Sequence, residues 1–319
     1  MSLRPVWCES LAARLGQAEG GRPWRTRFAP APTGYMHLGH LVNAMHVWGI
    51  ARAHGGEVLL RVEDHDRTRC RPEYEAALLE DLEWLGFEAD IHPVSSFRGA
   101  PQGLSHPARQ SQQGGRYASA LHRLDADGCV YACRCTRRDI AQLVPHAPGE
   151  EPRYPGICRD LRVADAESWA RRVRLDPATF SFDDLRLGPQ SQSPWRQCGD
   201  VLVRDRHGQW TYQFAVVVDD LIHDVDVIIR GEDLLTSTGR QLQLASLLGR
   251  ETAPLFLHHT LLVHADGSKL SKANRDTALR DLRADGATAA ALLGEAAVRA
   301  GLLSAHRSLT ALDVPALFV

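Results

Sequence analysis

The stretch from Arg25 to Gly86 constrains the fold more than any other part of the chain. Arg25–Phe28 reads as a short strand halted by Pro30 and Pro32. From Leu38 to about His54, Leu41, Val42, Met45, Trp48, Ile50 and Ala51 fall close to helical spacing, and Gly55-Gly56 ends the run. Glu57–Val62 is a compact apolar run bounded by glycine and charge, the pattern of a buried strand. Arg71–Leu85 predicts the clearest helix. Pro72 suits its first turn, Tyr74, Leu78, Leu82 and Leu85 share a face, and Gly86 closes it. Strand, helix, strand, helix at these lengths predicts an α/β fold around a doubly wound parallel sheet.

Regularity fails from about His92 to Gly115 and again over Leu187–Gly199, both rich in Pro, Ser, Gln and Gly. Between them a helix from Arg116 to Asp127 leads into a cysteine cluster. Val201–Arg204 and Trp210–Gln213 read as a hairpin turning at His207-Gly208. Apolar runs at Phe214–Val218 and Val225–Ile229, a helix from about Ser237 to Leu248 and an Ala- and Leu-rich helical tail follow. The expected layout is a leader at 1–23, two halves of one α/β domain at 24–108 and 187–265, and an inserted module at 109–186. A loop with a helical tail fills 266–319, and the leader, amphipathic only at Leu11–Leu15, is expected to be a tail.

Composition excludes several classes. At 319 residues, 44% hydrophobic and 24% charged, the chain is neither disordered nor collagen-like. No run approaches the roughly 18 apolar residues of a membrane span. Glu9, Arg14 and Glu19 interrupt any signal-peptide core. A cytoplasmic protein with no membrane partner is expected, and nothing demands more than a monomer. The 37 Lys and Arg against 39 Asp and Glu give a net charge of −2, with Arg supplying nearly all of the positive charge. That balance leaves a local Arg-built RNA surface open. Seven Cys in such a chain argue against a disulfide framework, and the scattered Cys8, Cys70 and Cys198 read as small buried hydrophobes.

Three constellations carry chemistry. Arg27-Phe28-Ala29-Pro30-Ala31-Pro32-Thr33-Gly34-Tyr35-Met36-His37-Leu38-Gly39-His40 runs from a strand into a helix start. Free N–H groups there suit phosphate, and His37 and His40 share one helical face from which both can donate to phosphate oxygens. Lys269-Leu270-Ser271-Lys272, after the Asp266-Gly267 turn, pairs two cations on a small-residue loop able to clamp a polyphosphate. Cys133, Cys135 and Cys158 supply three thiolates for a tetrahedral zinc site, and chemistry alone nominates His146 as the fourth ligand. Cys129 reads as core.

A His-x-Gly-His helix start about 230 residues before Lys-x-Ser-Lys, with α/β pattern between, resembles the class I aminoacyl-tRNA synthetases and their HIGH and KMSKS signatures. The resemblance implies a Rossmann-type catalytic domain. It implies that His37, His40 and Lys272, with Gly39 at the helix start and Lys269 beside it, serve ATP and its phosphates. Ala273 and Leu270 depart from the KMSKS pattern, but neither position is a phosphate ligand by chemistry. Arg27–Pro30, Arg61-Val62-Glu63-Asp64, the stretch Tyr212 to Asp220 and the stretch Ile229 to Thr238 resemble the glutamyl branch. That points to Arg27 and Arg230 for the carboxylates of L-glutamate and Glu63 for its ammonium. It points to Tyr212 as a hydroxyl donor and to Phe28, Ala29, Pro30 and Ala31 as the wall.

The Cys-x-Cys with Tyr-x3-Cys arrangement is similar to the glutamyl-queuosine tRNA(Asp) synthetases, which implies Tyr154 rather than His146 as fourth zinc ligand. Only 47 residues follow Lys272, fewer than an anticodon-binding domain needs, which agrees with that group. The resemblance implies activation of glutamate by ATP and Mg²⁺ without tRNA, then transfer to queuosine in the anticodon of tRNA(Asp). It further implies one structural Zn²⁺ per chain and a C-terminal tail that meets the tRNA stem. Alternatives are a truncated glutamyl-tRNA synthetase charging a 3′ end, or a carboxylate–amine ligase working through an adenylate.

Overall fold

The computed structural model describes residues 6–16, 21–99, 105–147, 151–161, 169–262 and 277–319. Its strands are β1 (Arg25–Phe28), β2 (Glu57–Leu60), β3 (Val130–Cys133), β4 (Ala170–Val173), β5 (Phe180–Asp184), β6 (Gly188–Gln192), β7 (Val201–Arg204), β8 (Val227–Gly231) and β9 (Leu255–His259). β1 and β2 pair in parallel with Arg27 opposite Leu59, and Ile91 adds a parallel bridge on the outer side of β2. β8 and β9 pair in parallel, β5 joins β9 in parallel at Asp184–Phe256, and β6 folds back antiparallel on β5.

β1 lies beside β8, where the Asp226 N–H donates to the Arg25 carbonyl at 2.8 Å. From this pair the sheet continues to β2 on one side and to β9 on the other. A crevice opens at the carboxyl ends of two such strands, the usual ligand position in a parallel α/β sheet.

The helix Leu38–Ala53 joins β1 to β2 and is buried almost all round from Leu41 to Ala51. Such a helix needs cover on both faces. Chain-terminal segments provide it: Cys8, Leu11 and Leu15 from one end, and Leu292, Leu293, Ala296, Val314 and Phe318 from the other, share one core with it. A Cβ at Gly49 would overlap the Phe318 ring, so glycine is what lets that ring seat. The leader is therefore no loose tail over its described residues. Its helix Leu11–Arg14 buries Leu11, and Arg14 pairs with Asp183 at 2.5 Å.

Several sequence expectations need correction. Leu187–Gly199 is ordered, containing β6 and a helix Pro194–Cys198. The stretch after His92 holds a helix Val94–Arg98 and a 3-10 turn Gln110–Gln112, with Ala108 and Gln110 buried. The hairpin reduces to one bridge between Arg204 and Trp210, because Tyr212 and Gln213 start the helix Tyr212–Ile222. That helix absorbs the β-branched run Val216–Val218, whose side chains are buried on packing neighbours; tertiary burial overrides propensity there. Sheet membership also crosses the expected 186/187 boundary. β5 pairs with β9, whereas β7 completes an antiparallel sheet with β4 and with β3, the strand that ends at Cys133 of the cysteine cluster.

Candidate functional site

A cavity of about 800 Å³ opens at the carboxyl ends of β1 and β8. Arg27, Phe28, Ala29, Pro30, Ala31, His37, Gly39, His40, Glu63, Tyr212 and Arg230 all line it, so residues far apart in sequence converge. Lys269 and Lys272 lie outside the described residues.

The two imidazoles are fixed by the backbone. His37 caps the helix Leu38–Ala53, its Nδ1 accepting the Gly39 N–H at 3.1 Å. His40 Nδ1 accepts the His37 N–H at 3.2 Å. A nitrogen that accepts carries no proton, so in the neutral rings the proton sits on Nε2. Both residues thus present an N–H donor at a helix N-terminus, with ring centroids 4.0 Å apart.

The two Arg side chains differ in their partners. Arg27 donates through Nε to both oxygens of Asp220, at 3.2 and 3.3 Å. Asp220 also accepts Arg61 Nη1 at 2.7 Å, and Arg61 Nη2 reaches Glu63 at 2.9 Å. Two guanidiniums and two carboxylates therefore form a buried, neutral quartet. Burial alone would raise the Asp220 carboxyl, but Arg27 and Arg61 hold it down at about 2. Arg230 differs. It donates to Gln241 Oε1 at 2.6 Å, Thr238 Oγ1 at 2.9 Å and His258 Nε2 at 3.0 Å, all neutral acceptors. Among the described residues it has no carboxylate partner, yet it is only 3% exposed, and burial lowers its pKa. A buried, unneutralised guanidinium on a cavity wall calls for an anion. A dicarboxylic amino acid, net −1, matches that excess charge. Burial also raises the Tyr212 hydroxyl, keeping it a donor.

Arg61 and Asp220 were not expected as site residues. Each was signalled by a charge inside an apolar run, Leu59 to Val62 and Val216 to Leu221. Asn43 and His259, bonded at 3.1 Å, also line the cavity and carried no comparable signal.

The Sγ atoms of Cys133, Cys135 and Cys158 lie within 4.8 Å of one another. The Tyr154 hydroxyl stands 3.4 Å from Cys133 Sγ and accepts the Cys158 N–H at 2.9 Å. His146 is exposed, with Nδ1 3.0 Å from the Val144 carbonyl, and is not part of the group. Gly199, at φ +67°, lets the Tyr154 backbone approach, since a Cβ there would overlap the Tyr154 carbonyl oxygen. The three thiols suit zinc in their donor chemistry, and the Tyr154 hydroxyl lies beside them. Cys129, half-buried, packs on the neighbouring core as expected.

Among the described residues no helix is long and apolar enough to cross a membrane. Residues 23–310 match the family model for tRNA synthetases class I (E and Q), catalytic domain. The chain is 41% identical over 289 residues to the Glutamyl-Q tRNA(Asp) synthetase of Nitratidesulfovibrio vulgaris, covering 88% of this chain and 87% of that one. It is 43% identical over 260 residues to the protein of that name from Cupriavidus metallidurans, covering 80% and 79%. A solved glutamate tRNA ligase from Elizabethkingia meningosepticum, in complex with its amino acid, superimposes with a TM-score of 0.66 at 27% identity. That match covers 83% of this chain and 54% of the ligase. With its α/β catalytic core and parallel sheets, the chain belongs to the glutamyl-Q tRNA(Asp) synthetase family of class I tRNA synthetases.

Proposed function

We propose that the cavity binds L-glutamate and ATP, forms glutamyl-adenylate, and passes glutamate to a hydroxyl of the queuosine cyclopentenediol in the anticodon of tRNA(Asp). The observation that carries this reading is one cavity joining the unneutralised Arg230 to two Nε2–H donors at a helix start. Arg27 and Arg230 take the carboxylates, Glu63 the ammonium, and Tyr212 donates its hydroxyl, while Phe28, Ala29, Pro30 and Ala31 form the wall. His37 and His40 donate to phosphate oxygens beside Gly39, and Lys269 and Lys272 serve the same phosphates.

A carboxylate oxygen of glutamate attacks the α-phosphorus in line and pyrophosphate leaves. A queuosine hydroxyl then attacks the activated carbonyl carbon and AMP leaves. No covalent enzyme intermediate is needed; positioning and fixed donors supply the acceleration. Mg²⁺, when bound with ATP, neutralises phosphate charge.

Cys133, Cys135, Cys158 and Tyr154 would hold one Zn²⁺, cross-linking β3 to the loop that carries Tyr154 and Cys158. Its contribution is folding energy for a module whose own core is small. A catalytic domain interrupted by an insertion, a tail that meets the tRNA stem, monomeric action and a cytoplasmic setting complete the proposal. Glutamate-dependent exchange of pyrophosphate into ATP, run without tRNA, tests the first step. Exchange with glutamate supports it; no exchange with any amino acid contradicts it.

A further inference from the structure

Behind Arg230 lies a buried network whose members His258, Asp184 and Thr238 do not line the cavity. His258 on β9 has Nε2 3.0 Å from Arg230 Nε and Nδ1 2.7 Å from Asp184 Oδ2 on β5. A guanidinium N–H only donates, so His258 Nε2 must accept, and the ring proton must sit on Nδ1, donated to Asp184. Thr238 completes the circuit. Its hydroxyl oxygen accepts Arg230 Nη2 at 2.9 Å and lies 3.3 Å from His258 Nε2. Asp184 is anchored in turn, accepting the N–H groups of Arg186, Leu187 and His258 at 2.9 to 3.1 Å. His258 and Asp184 are fully buried.

Resting on the proposed glutamate site, we infer that His258 and Asp184 are positioning residues that set selectivity for a dicarboxylic amino acid. They hold Arg230 with acceptors that add no negative charge beside it, so that its positive charge is left for the substrate. A carboxylate touching Arg230 directly would orient it equally well but would cancel the charge. Asp184 instead acts one ring away: it locks the tautomer and stays 2.7 Å behind the imidazole. If His258 turned its proton to Nε2, an N–H would face the Arg230 N–H and push the guanidinium out of register. Burial disfavours the imidazolium, which agrees with an accepting Nε2.

The test is pyrophosphate exchange with varied glutamate and varied ATP for the wild type, H258Q, H258A and D184N, with thermal unfolding of each. Gln can place an amide oxygen where Nε2 accepts; Ala cannot. H258A and D184N are expected to raise KM for glutamate by about tenfold or more, the cost of leaving a buried donor unmatched, with KM for ATP unchanged. Their preference for glutamate over glutamine should fall in parallel, and H258Q should restore both to within about threefold. Loss of kcat and of both KM values in proportion to lost thermal stability would overturn the inference, as would an H258Q no better than H258A. If H258A does not fold, the near-isosteric D184N decides alone by the same criteria. A wild type without glutamate-dependent exchange would instead overturn the glutamate reading.

Discussion

Asp220 and Arg61 form a buried ion pair at 2.7 Å, Arg61 fully inaccessible and Asp220 nearly so, beneath the cavity floor. Asp220 holds Arg27 as well, so one carboxylate on the helix Tyr212–Ile222 fixes guanidiniums from β1 and from the residue following β2. Asp220→Ala would leave two buried cations underpaired. It is expected to cost about 3–5 kcal/mol in urea unfolding. Glu83→Ala, which breaks an exposed pair with Arg98, should cost under about 1 kcal/mol. Equal losses for the two variants would contradict the quartet's structural importance.

His37 has two jobs that substitution can separate. Its ring caps the helix and also lines the cavity that holds the proposed phosphate site. His37→Asn retains a capping oxygen, so its stability should stay within about 0.5 kcal/mol, while His37→Ala loses about 1 kcal/mol. Both should reduce the rate of adenylate formation, on the order of 100-fold, as loss of a fixed donor does. An active His37→Asn would remove this residue from the phosphate site.

Purified protein is expected to carry one zinc per chain, measured by elemental analysis. Cys133→Ser or Cys158→Ser should abolish it, and His146→Ala should leave it unchanged. Chelation should expose the insertion to protease while pyrophosphate exchange continues. Retained zinc in Cys158→Ser, or its loss in His146→Ala, would contradict the ligand set.

Acidification should destabilise the fold before most carboxylates protonate. Burial depresses His106, His223 and His259 to about 4, with neighbouring positive charge adding to the effect. His46 and His92 are lowered for the same reason. Between the ordinary histidine value near 6.5 and about 4, the unfolded chain binds more protons than the native one, so stability falls as pH falls. Asp81, raised by burial to about 6, opposes this as a single group. Urea midpoints measured from pH 7.5 to 4.5 should decline steadily; a flat or rising profile would contradict the burial of these rings.

The first half of the fold was legible because period and punctuation agreed: Gly86 takes φ +81° after the helix Pro72–Leu85, as its position there predicts. The cavity wall was legible because its motifs sit at the ends of β1 and β8. The helix at Phe214–Val218 was not, since an all-buried run has no period to read and its β-branched residues favour strand in isolation. β6, Gly-Pro-Gln-Ser-Gln, was hidden for the opposite reason: it is polar, half-exposed and defined only by its partner β5. The roles of Asp220 and His258 depend on contacts over 100 residues apart for Asp220–Arg61 and 74 for His258–Asp184, beyond any local pattern.

The most direct measurement supplies purified protein, ATP, Mg²⁺ and labelled glutamate with two tRNA pools, one from cells that make queuosine and one from cells that cannot. The account expects label only on the queuosine-containing pool, in tRNA(Asp). Equal labelling of both pools would mean charging of a 3′ end and would contradict it.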